Sequence, residues 1–189
     1  MADSRKRCAW AVTEAAVAYH DREWGVPIHD DRIHFEFLLL EGAQAGLSWN
    51  TILSKRDAYR KLFANFDPRR VAKFSEAKMQ SILKNPGIVR NRLKVRGAVK
   101  NAQAFLRVQS EFGSFDKYVW SFVGGKPLCA RRGPRSKVPA TSKESDELSA
   151  DLRKRGFTFV GSTICYSFMQ AVGMVNDHVT TCFRYAKCR

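Results

Sequence analysis

Apolar residues recur at intervals of three and four along most of the chain, the spacing that places them on one face of an α-helix. Most of these runs follow a serine or aspartate that can cap a helix N-terminus, and Asp67 is followed by a proline suited to the first helical position. Gly156 can end the helix that precedes it. We therefore predict helices that begin at Asp30 or Asp31, at Ser48, at Asp67 and at Ser75, and further helices over residues 95–106, 115–123 and 146–155 and from Ser162.

Strand signals are few. The best is FTFVG at 157–161, which is too short and too isolated to build a sheet. Residues 124–143 are rich in glycine and proline and carry several arginines, so we expect a long basic loop there. No internal repeat is present. The pattern predicts an all-α protein with a single domain over residues 1–189.

The net charge of the chain indicates which class of partner it binds. It has 33 Lys+Arg against 18 Asp+Glu, a net charge of +15, which indicates a polyanionic partner such as DNA, RNA or an anionic surface. No apolar run approaches the length of a membrane-spanning helix, and MADSRKRCAW lacks the apolar stretch of a secretory signal. The five cysteines are an odd number in a chain of this size, which favours a reducing compartment. We expect a cytoplasmic monomer that does not bind membranes.

The segment KNPGIVRNRLKVRG (84–97) is the clearest local signal for nucleic acid. A short Pro-Gly turn joins two helical patterns, and the second begins among Arg90, Arg92 and Lys94, which we expect to contact phosphates. Outward-facing backbone N–H groups at such a turn can hold a phosphate without reading a base, and Gly87 would allow close approach. The segment resembles the helix-hairpin-helix element of base-excision glycosylases, which we place at about 75–106. An ordinary connector between two helices is the alternative.

Two pairs of residues suggest a metal site. His178 and Cys182 are four residues apart and would share one helix face, while Cys8 and His20 lie near the other terminus. Together they would form a closed Cys₂His₂ set, typical of structural rather than catalytic zinc. A buried histidine with free cysteines explains the spacing equally well.

A cluster of aromatic and acidic residues lies in AYHDREWGVP and LEGAQAGLSW. Tyr19, Trp24 and Trp49 accompany Glu41, which ends an apolar run where an unpaired acid is costly. An acid beside aromatic faces suits a planar, electron-poor ring. Core aromatics with a carboxylate at a helix end are the other interpretation.

Taken together, segments over nearly the whole chain resemble the 3-methyladenine DNA glycosylase I family. They are CAW (8–10), AYHDREWGVP (18–27), LEGAQAGLSW (40–49), GIVRNRLKVRGAVKNA (87–102), YVWSFV (118–123) and KRGFTFVGSTICYSFMQAVGMVNDHV (154–179), followed by Cys182. Long runs such as FVGSTICYSFMQA are far more specific than a Pro-Gly turn. The resemblance implies a helix-hairpin-helix glycosylase fold in which a structural Zn²⁺ joins the two termini.

The resemblance also implies site residues and an activity. The zinc ligands fall on Cys8, His20, His178 and Cys182; the base-recognition carboxylate on Glu41; the stacking aromatics on Tyr19 and Trp49; and the residues that enter the gap left by the flipped base on Gln44 and Leu47. The implied enzyme flips 3-methyladenine out of alkylated double-stranded DNA and hydrolyses its N-glycosidic bond. It is monofunctional, releases the free base and leaves an abasic site.

Two positions bear on this activity. Enterobacterial members carry a pocket tyrosine where this chain has Ala16, which implies a wider pocket or a lower affinity. Asp116 lies roughly where the wider superfamily has a catalytic aspartate, but in GSFDKY we interpret it as a helix cap. The alternatives are a catalytically weak or inactive damage-binding protein of the same fold, and an RNA-associated protein that uses its charge non-specifically.

Overall fold

The computed structural model describes residues 5–188. These residues form a helical protein with one two-stranded pair, as the apolar spacing predicts. The helices are α1 Glu14–Arg22, α2 Asp31–Gln44, α3 Trp49–Leu62, α4 Pro68–Val71, α5 Glu76–Leu83, α6 Arg92–Phe112, α7 Phe115–Ser121, α8 Lys143–Lys154 and α9 Ser162–Ala171. The strands are β1 Leu128–Cys129 and β2 Val175–Asn176, and 3₁₀ turns cover Ala64–Phe66 and Tyr185–Lys187.

Most predicted helix starts are confirmed. The side chains of Asp30, Ser48, Asp67 and Ser75 each accept a hydrogen bond from a backbone N–H in the first turn of the helix that follows. Such a cap satisfies one of the four orphaned N–H groups at a helix start, worth about 1 kcal/mol. The caps therefore set where α2, α3, α4 and α5 begin.

Four helices differ from the prediction. Helix α6 covers Arg92–Phe112 rather than 95–106, and α7 ends at Ser121 rather than at 123. The pattern gave no helix at Glu14–Arg22, because the apolar residues of EAAVAYHDR form one continuous run, mostly of alanines, and mark no single face. Thr13 caps this helix by accepting from the Ala16 N–H. Helix α8 begins at Lys143 rather than at 146, because Ser142 and Ser145 form a reciprocal capping box. Its end is confirmed: Gly156, two residues beyond Lys154, has φ +91°.

The segment 157–161 is not a strand. The Asn101 side chain of α6 accepts from the Thr158 N–H at 2.8 Å and donates to the Thr158 carbonyl at 2.9 Å, which occupies the backbone groups that a strand would use. Phe159 has φ +56°, outside the strand region. A Cβ on Gly97 would lie 2.8 Å from Thr158 Oγ1, so the segment packs closely against α6.

The predicted loop over 124–143 is partly ordered by β-pairing. Strand β1 pairs in parallel with β2, with Leu128 opposite Val175. The Arg132 side chain bonds the buried carboxylate of Asp177, just beyond β2. The loop therefore packs against the segment that leads to His178, while its basic residues Arg131, Arg135 and Lys137 are exposed.

Helix α2 is the central element. It packs against α3, α6, α7 and α9, and residues 34–43 are buried throughout. Its C-terminal end carries Glu41 and leads through the turn 45–48 into α3. None of the helices over residues 5–188 combines the length and the apolar composition that a membrane span requires.

Candidate active site

Three helices bring together the three residues expected to contact a base. Tyr19 comes from α1, Glu41 from the last turn of α2, and Trp49 from the first position of α3. The ring centroids of Tyr19 and Trp49 lie 5.3 Å apart with planes inclined at 50°, and Phe37 packs behind Tyr19 at 6.1 Å. Burial, and then the neighbouring Glu41 carboxylate, raise the pKa of Tyr19 well above its usual value. The structure therefore groups an acid with aromatic rings, as the sequence predicts.

Glu41 has an unusual environment for a carboxylate. It is 4% exposed, and among residues 5–188 its carboxylate has no hydrogen bond or ion pair. Burial raises its pKa to about 8. The Trp49 Nε1–H is likewise buried without an acceptor in the described structure. Polar groups that lack hydrogen-bond partners and lie beside aromatic faces indicate a site for a polar, planar ligand.

A buried arginine ties the three helices together. Arg56 of α3 donates from Nε to Glu36 of α2 at 2.7 Å, and its Nη1 lies 2.7 Å from Glu23, the residue that ends α1. Its guanidinium also lies over the Phe37 ring at 5.2 Å. Sequence reasoning missed this network, because its members are 13 to 33 residues apart and form no local motif.

The four predicted metal ligands lie together near the termini. The donor atoms of Cys8, His20, His178 and Cys182 all lie within 4.8 Å of one another, and all four residues are buried. Cys182 Sγ lies 3.4 Å from His20 Nε2 and 3.5 Å from His178 Nδ1, and Cys8 Sγ lies 3.6 Å from His178 Nδ1. A tetrahedral zinc with Zn–S about 2.3 Å and Zn–N about 2.0 Å separates sulfur from nitrogen by about 3.5 Å. The donor set therefore fits a zinc ion.

The two histidines are oriented by their other ring nitrogens. His20 Nδ1 lies 2.8 Å from the Asp21 carboxylate, and His178 Nε2 lies 3.1 Å from the Trp24 carbonyl. These partners take the N–H of each imidazole, so that the opposite nitrogen faces the sulfurs. Trp24 also packs on the His178 ring at 4.6 Å, so it belongs to the metal cluster and not to the Tyr19 pocket.

The predicted hairpin is a turn between α5 and α6. The side chains of Arg90 and Arg92 are exposed and make no hydrogen bond or ion pair with other described residues. Packing within the protein also requires Gly87, because a Cβ at this position would lie 2.7 Å from Ala58 Cβ of α3. Tyr59 Oη accepts from the Val89 N–H at 3.2 Å, which fixes the turn on α3.

The Lys94 side chain, predicted to contact phosphate, lies against the end of α2. Its Nζ donates to the carbonyls of Ala43 and Ala45 at 2.7 Å each, and the side chain is half-buried. These carbonyls flank Gln44 at the end of α2. The exposed side chain of Leu47 lies in the turn that follows.

Comparison with known proteins settles the family. The methyladenine glycosylase family model matches residues 10–185, nearly the whole chain. The chain belongs to the methyladenine glycosylase family.

Relatives within this family align over almost their full length. The chain is 46% identical to DNA-3-methyladenine glycosylase 1 of Escherichia coli (strain K12), over 95% of this chain and 97% of that protein. It is 42% identical to DNA-3-methyladenine glycosylase of Haemophilus influenzae, over 93% and 96% respectively. Among solved structures, 3-methyladenine DNA glycosylase I from Staphylococcus aureus, whose structure addresses 3-methyladenine recognition, superposes with a TM-score of 0.92 at 34% identity, covering 97% of this chain and 98% of that one.

Two further positions singled out in the sequence, Asp116 and Ala16, can be placed in the structure. Asp116 is not the helix cap we predicted, since Ser114 caps α7 by accepting from the Lys117 N–H. The Asp116 carboxylate instead lies 3.1 Å from His34 Nε2 and 3.0 Å from His29 Nδ1. Ala16 is buried one turn before Tyr19, so α1 carries only a methyl group at this position.

Proposed function

We propose that this protein is a monofunctional DNA glycosylase that flips 3-methyladenine out of alkylated double-stranded DNA and hydrolyses its N-glycosidic bond. The observation that carries the proposal is the buried, unpaired carboxylate of Glu41 grouped with the Tyr19 and Trp49 rings. The names of the Escherichia coli and Haemophilus influenzae relatives support the same reaction. We further propose that it acts as a monomer.

Base selection follows from charge. Methylation at N3 makes the adenine ring cationic while it is attached to the sugar, and a cation stacks favourably on the electron-rich faces of Tyr19 and Trp49. The Glu41 carboxylate accepts a hydrogen bond from the exocyclic amino group of adenine. Guanine presents a carbonyl oxygen at that position, which a carboxylate repels, so 7-methylguanine is rejected although it too is cationic.

Bond cleavage needs little acid–base chemistry from the protein. The methylated base leaves as a neutral molecule when the N-glycosidic bond breaks, so no side chain must protonate it. A water molecule supplies the oxygen that remains on the sugar. The work of the enzyme is to flip, hold and orient the base. No lysine acts as a nucleophile, so the product is an abasic site without strand cleavage.

DNA is held by two surfaces. The exposed Arg90 and Arg92 contact phosphates beside the turn at Gly87, within a helix-hairpin-helix at about 75–106. Leu47, with a side chain 43% exposed, enters the gap left by the flipped base together with Gln44. Filling that gap offsets part of the unstacking cost, which is a few kcal/mol.

The role proposed for Zn²⁺ is structural. Cys8, His20, His178 and Cys182 would hold it in a closed tetrahedral set with no position for water or substrate. When bound, it cross-links the two terminal segments of the chain. Because His20 directly follows Tyr19, this cross-link also fixes the part of α1 that lines the pocket.

The test is to incubate the protein with methylated duplex DNA and to separate the released bases by chromatography. A reaction without protein corrects for spontaneous depurination. We expect 3-methyladenine in excess over 7-methylguanine, with abasic sites and no strand breaks. Tight binding to the methylated DNA without release of base above the control would instead identify a damage-binding protein and contradict the proposal.

A further inference from the structure

We propose that Lys94 is a positioning residue that holds the turn carrying Leu47 in place against the DNA-binding hairpin, and that it does not contact phosphate. This inference rests on the proposed function, because the turn acts only in base flipping. The turn is residues 45–48, between α2 and α3. Lys94 lies in a run of basic residues, but its side chain contacts the end of α2, whereas the side chains of Arg90 and Arg92 are exposed.

The contacts of Lys94 join two elements. Its backbone N–H donates to Asn91 Oδ1 at 3.1 Å, within the cap that begins α6. Its ammonium donates to the carbonyls of Ala43 and Ala45, both at 2.7 Å. One residue therefore connects the N-terminus of α6 to the C-terminus of α2.

The end of α2 requires such a donor. The last carbonyls of a helix have no partner within it, and they carry the negative end of the helix dipole. Helix α2 has no basic residue in its last turn, and its final residues leave the helix at Ala45, with φ −41° and ψ 113°. The Lys94 ammonium supplies both hydrogen bonds and the compensating charge. Its removal from water lowers the pKa of Lys94.

The turn is thereby fixed at both ends. At its start, Lys94 binds the carbonyls on either side of Gln44. At its end, Ser48 Oγ accepts from the Thr51 N–H at 3.2 Å and begins α3. Leu47 lies between these two anchors, and its N–H donates to the Gln44 carbonyl at 2.6 Å. Without Lys94, the turn would keep its Ser48 anchor but lose its attachment to α6.

The experiment compares Lys94→Met with Arg90→Met in the full chain, since both changes remove one charge from the same basic run. Affinity for undamaged duplex is measured over a range of salt concentrations. Single-turnover release of 3-methyladenine from methylated duplex and binding of free 3-methyladenine, followed by tryptophan fluorescence, are measured alongside. For Arg90→Met, we expect the salt slope to fall by about one contact.

For Lys94→Met, we expect an unchanged salt slope, unchanged binding of the free base and a loss of about tenfold or more in single-turnover release. Lys94→Arg keeps the charge and the donors and should recover most of the release. If Lys94→Met fails to fold, Lys94→Arg still tests the inference. A Lys94→Arg protein that folds but releases 3-methyladenine no faster than Arg90→Met would contradict it.

Two results would overturn the inference. One is a fall in the salt slope of Lys94→Met by a full contact, which would make Lys94 a phosphate ligand as the sequence first predicts. The other is release at the wild-type rate, which would mean that the turn needs no anchor on α6. The salt slope uses undamaged DNA and remains informative even if the wild-type protein releases no 3-methyladenine. A wild-type protein that releases no 3-methyladenine would contradict only the proposed function.

Discussion

Two buried carboxylates in this molecule are held in opposite ways. Asp177, 2% exposed, accepts hydrogen bonds from Arg132 and, at 2.6 Å and 2.8 Å, from Tyr166 Oη and Gln170 Nε2. Glu41, 4% exposed, has no such donor among residues 5–188. Burial raises its pKa to about 8. The described residues provide hydrogen-bond donors for the Asp177 carboxylate and none for the Glu41 carboxylate.

This difference separates a structural acid from one that is kept for a ligand. Asp177 ties the basic loop to α9 and directly precedes His178, so its partners stabilise the region around the metal cluster. Glu41 makes the fold less stable when it is ionised, because its charge is buried without compensation. Under the proposed function, a cationic base supplies that compensation when it binds. Under the proposed function the base completes the pocket, whereas the four Cys and His ligands would be completed by a metal ion.

The largest expected effect on stability follows from replacing one of the predicted metal ligands. If the proposed zinc is bound, Cys182→Ser should lose it and lower the free energy of unfolding by more than about 3 kcal/mol, because the ion would cross-link segments near both termini. Zinc content by mass spectrometry and urea unfolding measure the two effects. The ratio of bases released by the protein that remains folded should not change. Metal-replete wild-type protein without zinc would contradict the assignment of this site.

The next effect comes from Asp177→Asn. The amide places an N–H₂ group among donors that were bonding a carboxylate, which should cost about 3 kcal/mol in the free energy of unfolding. Glu41→Gln is the matched change in the pocket and should leave the unfolding midpoint unchanged or raise it. Equal losses in both variants would remove the distinction between the two carboxylates.

A smaller effect concerns pH. A pKa of about 8 leaves roughly a tenth of Glu41 ionised at pH 7 and most of it ionised at pH 9. Because the carboxylate is the form that attracts the cationic base, kcat/KM for 3-methyladenine release should rise about tenfold over this interval and then level off. Glu41→Gln should show no such rise. A decrease of wild-type kcat/KM through pH 8 would identify the protonated acid as the active form.

Much of the helical fold could be predicted because its signals are local. A cap and the N–H that it binds, such as Ser48 and Thr51, are three residues apart, so the sequence contains the whole interaction. The family resemblance also named Tyr19, Glu41 and Trp49, and the structure brings these three together.

The remaining features depend on partners distant in sequence. Lys94 is 49 residues from Ala45, and nothing near it indicates that its ammonium binds a helix end rather than a phosphate. Asn101 is 57 residues from Thr158, whose segment reads locally as a strand. The Arg56 network likewise joins three helices. Long polar side chains choose among solvent, DNA and buried carbonyls according to tertiary structure, which a local pattern does not contain.

The central claim is that the open carboxylate of Glu41 selects the methylated base. The most direct test is the initial rate of 3-methyladenine release from methylated duplex DNA by Glu41→Gln and Asp177→Asn, at a temperature where both variants are folded. We expect a loss of about 100-fold for Glu41→Gln, the value of a lost hydrogen bond to a charged partner, and a rate close to wild type for Asp177→Asn. A Glu41→Gln protein that releases 3-methyladenine at the wild-type rate would contradict the account.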